Sequence, residues 1–363
     1  MTGSATLDSD LAEARPSRPR TLRRGALIVG LAVALVALVL VSAGTGQLYV
    51  RPEEVLGALL RGIGIPVGPL PEHPQGYNAL WTIRFPRVAM AVIVGAALAA
   101  AGLLMQAIFG NPLAEPGVVG VSSGAALGAS AVIVFGWTFA GEWTIALVAF
   151  ATGLLATLVV YTMSRAGGRT EVVTLVLTGI AINAFTGAGL AFLTFLGDQQ
   201  AREQIVFWQL GSLNGSRWQQ VGIVLPLIVV GLIVAFAVTR SLDLLALGEK
   251  SARHLGVNVE LLRIVVIVVT ALLVGSAVAF AGIIAFVGLV VPHLMRMIIG
   301  PAHLPLLTTS VLGGAVLLLA ADLVARTAVP MADLPIGMLT SIVGGPFFFW
   351  LLRRTRSKAG GWG

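Results

Sequence analysis

Nine apolar runs, each close to the roughly 20 residues that cross about 30 Å of hydrocarbon as a helix, lie at 26–44, 87–109, 118–138, 143–163, 172–196, 220–239, 264–281, 306–326 and 336–352. Lipid offers no hydrogen bonds, so each run must satisfy its own backbone, and a helix does that within one segment. A tenth, shorter run lies between 283 and 299. Counting it returns the C terminus to the side of the N terminus. The expected fold is an all-α polytopic membrane protein of ten transmembrane helices, and the composition agrees: 11% of residues are charged, against about 25% in soluble domains.

The charge pattern orients the chain. A net charge of +7 would suggest nucleic acid as a partner in a soluble chain, but here the basic residues gather at the ends of the apolar runs. That is the bias that holds Lys and Arg on the cytoplasmic side of a membrane, so the expected partner is membrane lipid and not nucleic acid. With both termini cytoplasmic, roughly sixteen of the 23 Lys and Arg fall inside. The polar, Arg-rich residues 1–24 read as a disordered cytoplasmic tail. The run that follows, from about Gly25 to Ala43, exceeds the ~7–15 residues of a signal-peptide core and reads as an uncleaved first span. Residues 25–352 form the membrane domain, and 353–363 form a cytoplasmic tail.

The longest charged interruption in the second half runs from Asp243 to Arg263, DLLALGEKSARHLGVNVELLR. One ionised side chain at the bilayer centre costs at least about 2.5–3.5 kcal/mol, so this stretch lies in water. Gly248 and Gly256 divide it into two short helical pieces carrying Leu247, Leu255 and charged residues. Such pieces suit either a docking surface or a plain solvated loop. Elsewhere the spans are rich in small residues: Gly95, Ala99 and Gly102 in one, Gly120, Gly124 and Gly128 at every fourth position in another. Residues four apart share a helix face, and small faces let helices approach closely in lipid. The run 172–196 adds Thr178, Gly179, Asn183, Thr186 and Gly187, whose polar members need an interhelical seam or a water-lined path. The longest external connection, 45–86, begins with a predicted surface helix, RPEEVLGALLRG, with Pro52 in its first turn.

Catalysis finds no support. The four histidines, His73, His254, His293 and His303, show no metal-ligand spacing, and with no cysteine there is neither disulfide nor thiolate. No G-x-x-x-x-G-K-[ST] loop is present, and the two lysines, Lys250 and Lys358, follow no glycine-rich segment. A gradient-driven transporter commonly keeps ionisable residues near the midplane. Here the spans are nearly free of them, with Asp322 close to an end.

Five strings go beyond general membrane chemistry: RFPR at 84–87, MQAIFGNPLAEPGVVGVSSGAALG at 105–128, LGEKSARHLGV at 247–257, FVGLVVPHLMR at 286–296, and ADLVAR followed by LPIGMLTSIVGGPFFFWLL from Leu334. In order and spacing they resemble the FecCD family of ABC importer permeases, from about Leu48 to Leu352. The resemblance implies a type II importer architecture: a homodimer, or a heterodimer with a close relative, of ten-span subunits, two cytoplasmic ABC ATPases that use ATP and Mg²⁺, and an extracytoplasmic substrate-binding protein. This chain itself would bind no cofactor. It further implies a bacterial inner (plasma) membrane location, with iron complexes, ferric siderophore or haem, ranked above cobalamin as cargo.

By the same resemblance, the segment of about 242–263 supplies coupling helices that sit in a cleft of the ATPase, with Leu247, Gly248, Glu249, Ala252, Arg253, Leu255 and Gly256 in that role. Arg84, Arg87 and Arg326 match family arginines that receive glutamates of the binding protein; read without the family, they are interfacial arginines, and Arg326 is an i to i+4 partner of Asp322. Thr178, Gly179, Asn183, Thr186 and Gly187 match the path-lining helix. Glu115, between two prolines that end helix propagation, faces the ATPase or water, with water preferred. Reversing Arg84 and Arg87 to glutamate is expected to weaken association with the binding protein and flatten its salt dependence. Titration of binding at several salt concentrations checks this.

Overall fold

The computed structural model describes residues 20–166, 169–329 and 332–358. The expected disordered tail therefore lies outside the described residues for 1–19, as does the end of the C-terminal tail, 359–363. The first helix begins sooner than the apolar count suggested: α1 (Arg20–Gly44) takes in the last five residues of the expected tail. Its basic start costs nothing there, because arginines at a helix end reach the interface.

Helix α2 (Pro52–Gly62) is the predicted surface helix, with Pro52 in its first turn. Glu54 completes its start by accepting the Arg51 N–H at 2.8 Å and the Glu72 N–H at 3.1 Å. Val55 and Ala58 then pack with Ala43, Val50, Leu80 and Phe85 in a small cluster of their own, which folds α2 onto the ends of its neighbours. The next span also starts earlier than expected. A continuous helical rod, Gly76–Phe109, is built from α3 (Gly76–Ala79), one π turn at Leu80–Arg84 and α4 (Phe85–Phe109). Arg84 and Arg87 thus lie within a helix and are buried, where the apolar count had put them at an outer surface. Apolar counting failed because polar residues that break the run, Thr82 and Arg84, donate to backbone carbonyls: Thr82 to Asn78, and Arg84 to Ala43 and Gly44.

Helix α4 is the axis of the bundle. It ends at Gly110, whose φ of +58° suits glycine. The chain then turns back through a 3₁₀ turn, Pro116–Val119, into α5 (Val121–Phe135), and continues to α6 (Thr144–Met163). A two-residue antiparallel hairpin, Arg165–Ala166 with Arg169–Thr170, leads to α7 (Val172–Leu196), α8 (Gln199–Leu210) and α9 (Trp218–Ala237). The charged stretch yields α10 (Thr239–Leu245) and α11 (Glu249–His254). Its last part instead starts α12 (Val259–Ala281), because the Asn258 side chain caps that helix by accepting the Leu261 N–H at 3.0 Å. Then follow α13 (Val287–Ile299), α14 (His303–Thr327) and α15 (Ile336–Lys358).

All ten apolar windows fall on helices, but among the described residues only seven helices are long and apolar enough to cross a membrane alone. The apolar parts of α5, α13 and α15 are shorter, at Val121–Phe135, Val287–Ile299 and Ile336–Trp350. Helix α13 starts at mid-depth: Gly288 meets α4 at Leu98 and Gly102, two to three turns inside the end of α4. Its N-cap, Phe286, has a φ of +68°, the only positive φ outside glycine among the described residues.

The small residues pack as structural seams. A Cβ on Gly95 would lie 2.3 Å from the Gly314 carbonyl oxygen, and one on Gly102 would lie 1.8 Å from that of Gly288. Helices α4, α13 and α14 therefore touch backbone to backbone. The second seam joins α5 to α6, with Gly124 against Ala156 and Gly128 against Thr152. Close approach of this kind maximises dispersion contacts where lipid supplies no hydrophobic drive. Gly102→Leu should push α13 off α4 and cost about 3 kcal/mol or more, read as an earlier loss of monodispersity on heating in detergent.

Candidate functional site

Three polar regions lie along α4. At its N-terminal end, Arg84, Arg87 and Arg326 converge on a cavity of about 470 Å³ lined also by Gln47, Asp322 and Asp333. Arg87 donates from Nε to Asp322 and from Nη1 to Asp333, both at 2.9 Å. Arg326 lies 3.6 Å from Asp322 across one helical turn, the expected i to i+4 pair, and also donates to the carbonyl of Thr45 at 2.7 Å and to Ser42. Arg84 holds the carbonyls of Ala43, Gly44 and Leu48. These arginines thus fasten the end of α1 to α4 and α14, and the cluster carries three guanidinium groups against two carboxylates. Their sequence separations, 235 residues for Arg87 to Asp322, put this pairing beyond any local pattern.

At the other end of α4 lie α10 and α11. Leu247 and Leu255 flank α11 and are 64% and 58% exposed, apolar side chains held out beside charged ones. Gly248 and Gly256 make the two turns with φ of +102° and +86°, a conformation that a Cβ disfavours. Ala252 is fully buried and pins α11 to the body. Arg253 reaches Glu249 at 3.3 Å, and Glu249 also pairs with Arg263. Behind this surface, Asp243 accepts the His303 N–H at 2.9 Å and meets its Nδ1 at 2.7 Å, tying α10 to the start of α14.

Between the ends, a cavity of about 360 Å³ is lined by Leu98, Glu115, Ser123, Asn183, Val274 and Gly288, among others. Asn183 lies 2.6 Å from the Ser123 hydroxyl, which donates to it. Of the five α7 residues singled out in the sequence, Asn183 alone lines this cavity. Gly179 packs against the Val118 carbonyl, Thr186 returns its hydroxyl to Ile182 at 2.8 Å, Thr178 is half-buried and Gly187 is exposed. Glu115 corrects a sequence expectation. It is half-buried in the lining of this cavity and not fully exposed to water, and its carboxylate accepts the Phe286 N–H. The flanking prolines signalled the turn but not its direction.

The comparisons with known proteins agree with one another. The profile of the FecCD transport family matches residues 34–354. The hemin transport system permease protein HmuU of Yersinia pestis is 43% identical over 295 residues, 78% of this chain and 87% of that protein. The cobalamin import system permease protein BtuC of Halobacterium salinarum is 37% identical over 90% of this chain and 95% of its own length. The vitamin B12 import system permease protein BtuC of Escherichia coli O9:H4 is 40% identical over 78% and 86%. Among solved structures, an inward-facing metal-chelate type ABC transporter superposes with a TM-score of 0.80 at 30% identity, covering 91% of this chain and 99% of that one.

Asp322 is fully buried, so removing its closest cation strands a charge. Arg87→Ala should lower stability by about 3–5 kcal/mol, and pairing it with Asp322→Asn should restore most of the loss. Thermal unfolding of the single and double variants in one detergent measures both effects.

Proposed function

The chain belongs to the FecCD transport family, as a permease subunit of an ABC importer, and from that premise we propose that it passes an iron complex, haem or a ferric siderophore, across a bacterial inner (plasma) membrane. The observation that carries the cargo assignment is the 43% identity to a hemin permease. A second reading, cobalamin, draws on relatives of 37% and 40% identity. In either case an extracytoplasmic binding protein delivers the cargo and a pair of partner ATPases supplies the energy with ATP and Mg²⁺. Two copies of this chain enclose the path, and both termini are cytoplasmic.

The two polar ends divide the work. Leu247 and Leu255 enter an apolar cleft of the ATPase, Gly248 and Gly256 shape the turns, and Glu249 and Arg253 meet its rim; exposed apolar anchors ringed by charge are the usual make-up of such a contact. At the opposite end, about 35 Å away along α4, the arginine cluster has one positive charge in excess over Asp322 and Asp333. A glutamate of the binding protein neutralises it. Asn183 and the cavity around it form part of the path, with Thr178, Gly179, Thr186 and Gly187 setting how α7 sits beside it. The membrane domain of 25–352 carries all of these roles, and the terminal tails carry none.

Reconstitution of the permease with its ATPase in lipid, with binding proteins loaded in turn with haem, a ferric siderophore or cobalamin, tests the cargo. Haem or the siderophore should stimulate ATP hydrolysis and accumulate in the vesicles. Stimulation by the cobalamin-loaded protein alone would transfer the assignment to the second reading.

A further inference from the structure

Helices α7, α11 and α12 meet at a buried polar junction that the sequence did not single out. Thr170, 2% exposed, is the last residue of the hairpin and stands two residues before the first turn of α7. The Glu260 carboxylate holds it twice, accepting its N–H at 2.9 Å and its hydroxyl at 2.6 Å. Arg263, on the same side of α12 one turn later, donates to the Thr170 carbonyl at 3.0 Å. The same guanidinium pairs with Glu249 of α11. Arg263 is 7% exposed, so its charge depends on nearby carboxylates and not on water. Glu260 already lies within its electrostatic reach.

Packing differs sharply among the three helices. Helix α12 is deeply packed along most of its length. Helix α11 buries only Ala252, and α7 buries only Leu175, Gly179, Thr186 and Leu193 of its 25 residues. Movement is therefore least costly in α11 and α7, with α12 as the fixed frame. Helix α7 is continuous from Val172 to Asn183, about three turns, so a shift at its start reaches the cavity.

We propose that Arg263 is a positioning residue that couples α11 to α7 by exchanging carboxylates. With Glu249 in place, the Arg263 guanidinium has a carboxylate partner at Nη2, its Nε stays unpartnered, and Glu260 is free to hold Thr170. When α11 is drawn away, Glu249 leaves, and the nearest replacement is Glu260, three residues earlier on the same helix. Glu260 turns to Arg263, Thr170 loses both of its bonds to that carboxylate, and the first turn of α7 is released from α12. No bond is made or broken covalently; one buried cation changes partners. The inference rests on the reading of α11 as the ATPase-facing helix only for what moves α11, and the junction itself is open to direct test.

Glu249→Ala mimics withdrawal of α11 and alters an exposed helix, so the fold survives it. In the full-length permease in nanodiscs, it should raise amide hydrogen exchange at Leu175–Gly179 about tenfold. In a Glu260→Gln background, where no charge is left to recapture Arg263, adding Glu249→Ala should change nothing further. Wild-type exchange in Glu249→Ala, or an equal increment in both backgrounds, would overturn the proposal. A separate arm, association of the ATPase with Leu247→Asp, judges the docking reading alone: undiminished association would remove that reading and leave the exchange result to stand by itself.

Discussion

Hydrocarbon solvates neither a charge nor an unpaired backbone group, and the placement of nearly every polar residue in this protein follows from that. Asp322 is fully buried in α14, yet it is kept by Arg87 from α4 at 2.9 Å and Arg326 from its own helix. The penalty for separating such a pair is much larger than the gain from forming it. The pair therefore fixes how α4 and α14 sit against each other more than it adds stability. The glycine contacts at Gly95 and Gly314 set the distance between the same two helices, and the ion pair sets the register.

From that frame the functional regions acquire their positions. The arginine cluster lies at the beginning of α4 and the α10–α11 surface lies near its end, so one buried helix holds the two polar regions apart. Between them the chain departs from simple spans. The turn at 116–119 and the short α13 both stop at mid-depth, where Glu115 caps Phe286. Non-helical backbone at that depth is tolerated only against protein or beside a water-filled space, and here it packs against protein around the cavity beside Asn183. Helix α7 borders that cavity while burying little of itself, which leaves it only lightly held by the rest of the chain.

Much of the fold was legible in the sequence because helix formation in lipid depends on local composition. The run 172–196 matches α7 residue for residue, and Gly248 and Gly256 stand where the chain turns. The starts of the spans were less legible. Arg84, Arg87, Glu260 and Arg263 read as breaks in apolar runs, but each belongs to a helix because a distant residue pays its desolvation: Asp333 for Arg87, Thr170 for Glu260 and Arg263. Pairings over 90 to 246 residues leave no trace in a local window. Glu115 shows the same limit, since two prolines announce a turn without saying that it folds inward.

In the proposed function the energy for transport enters through α10 and α11 from a partner ATPase and not through ionisable residues of the spans. The most direct measurement is cargo uptake by the reconstituted importer with ATP inside the vesicles, compared with an imposed proton or sodium gradient without ATP. The account predicts uptake with ATP and none with the gradient alone. Uptake that follows the gradient and ignores ATP would contradict it and turn attention to the buried carboxylate of Asp322.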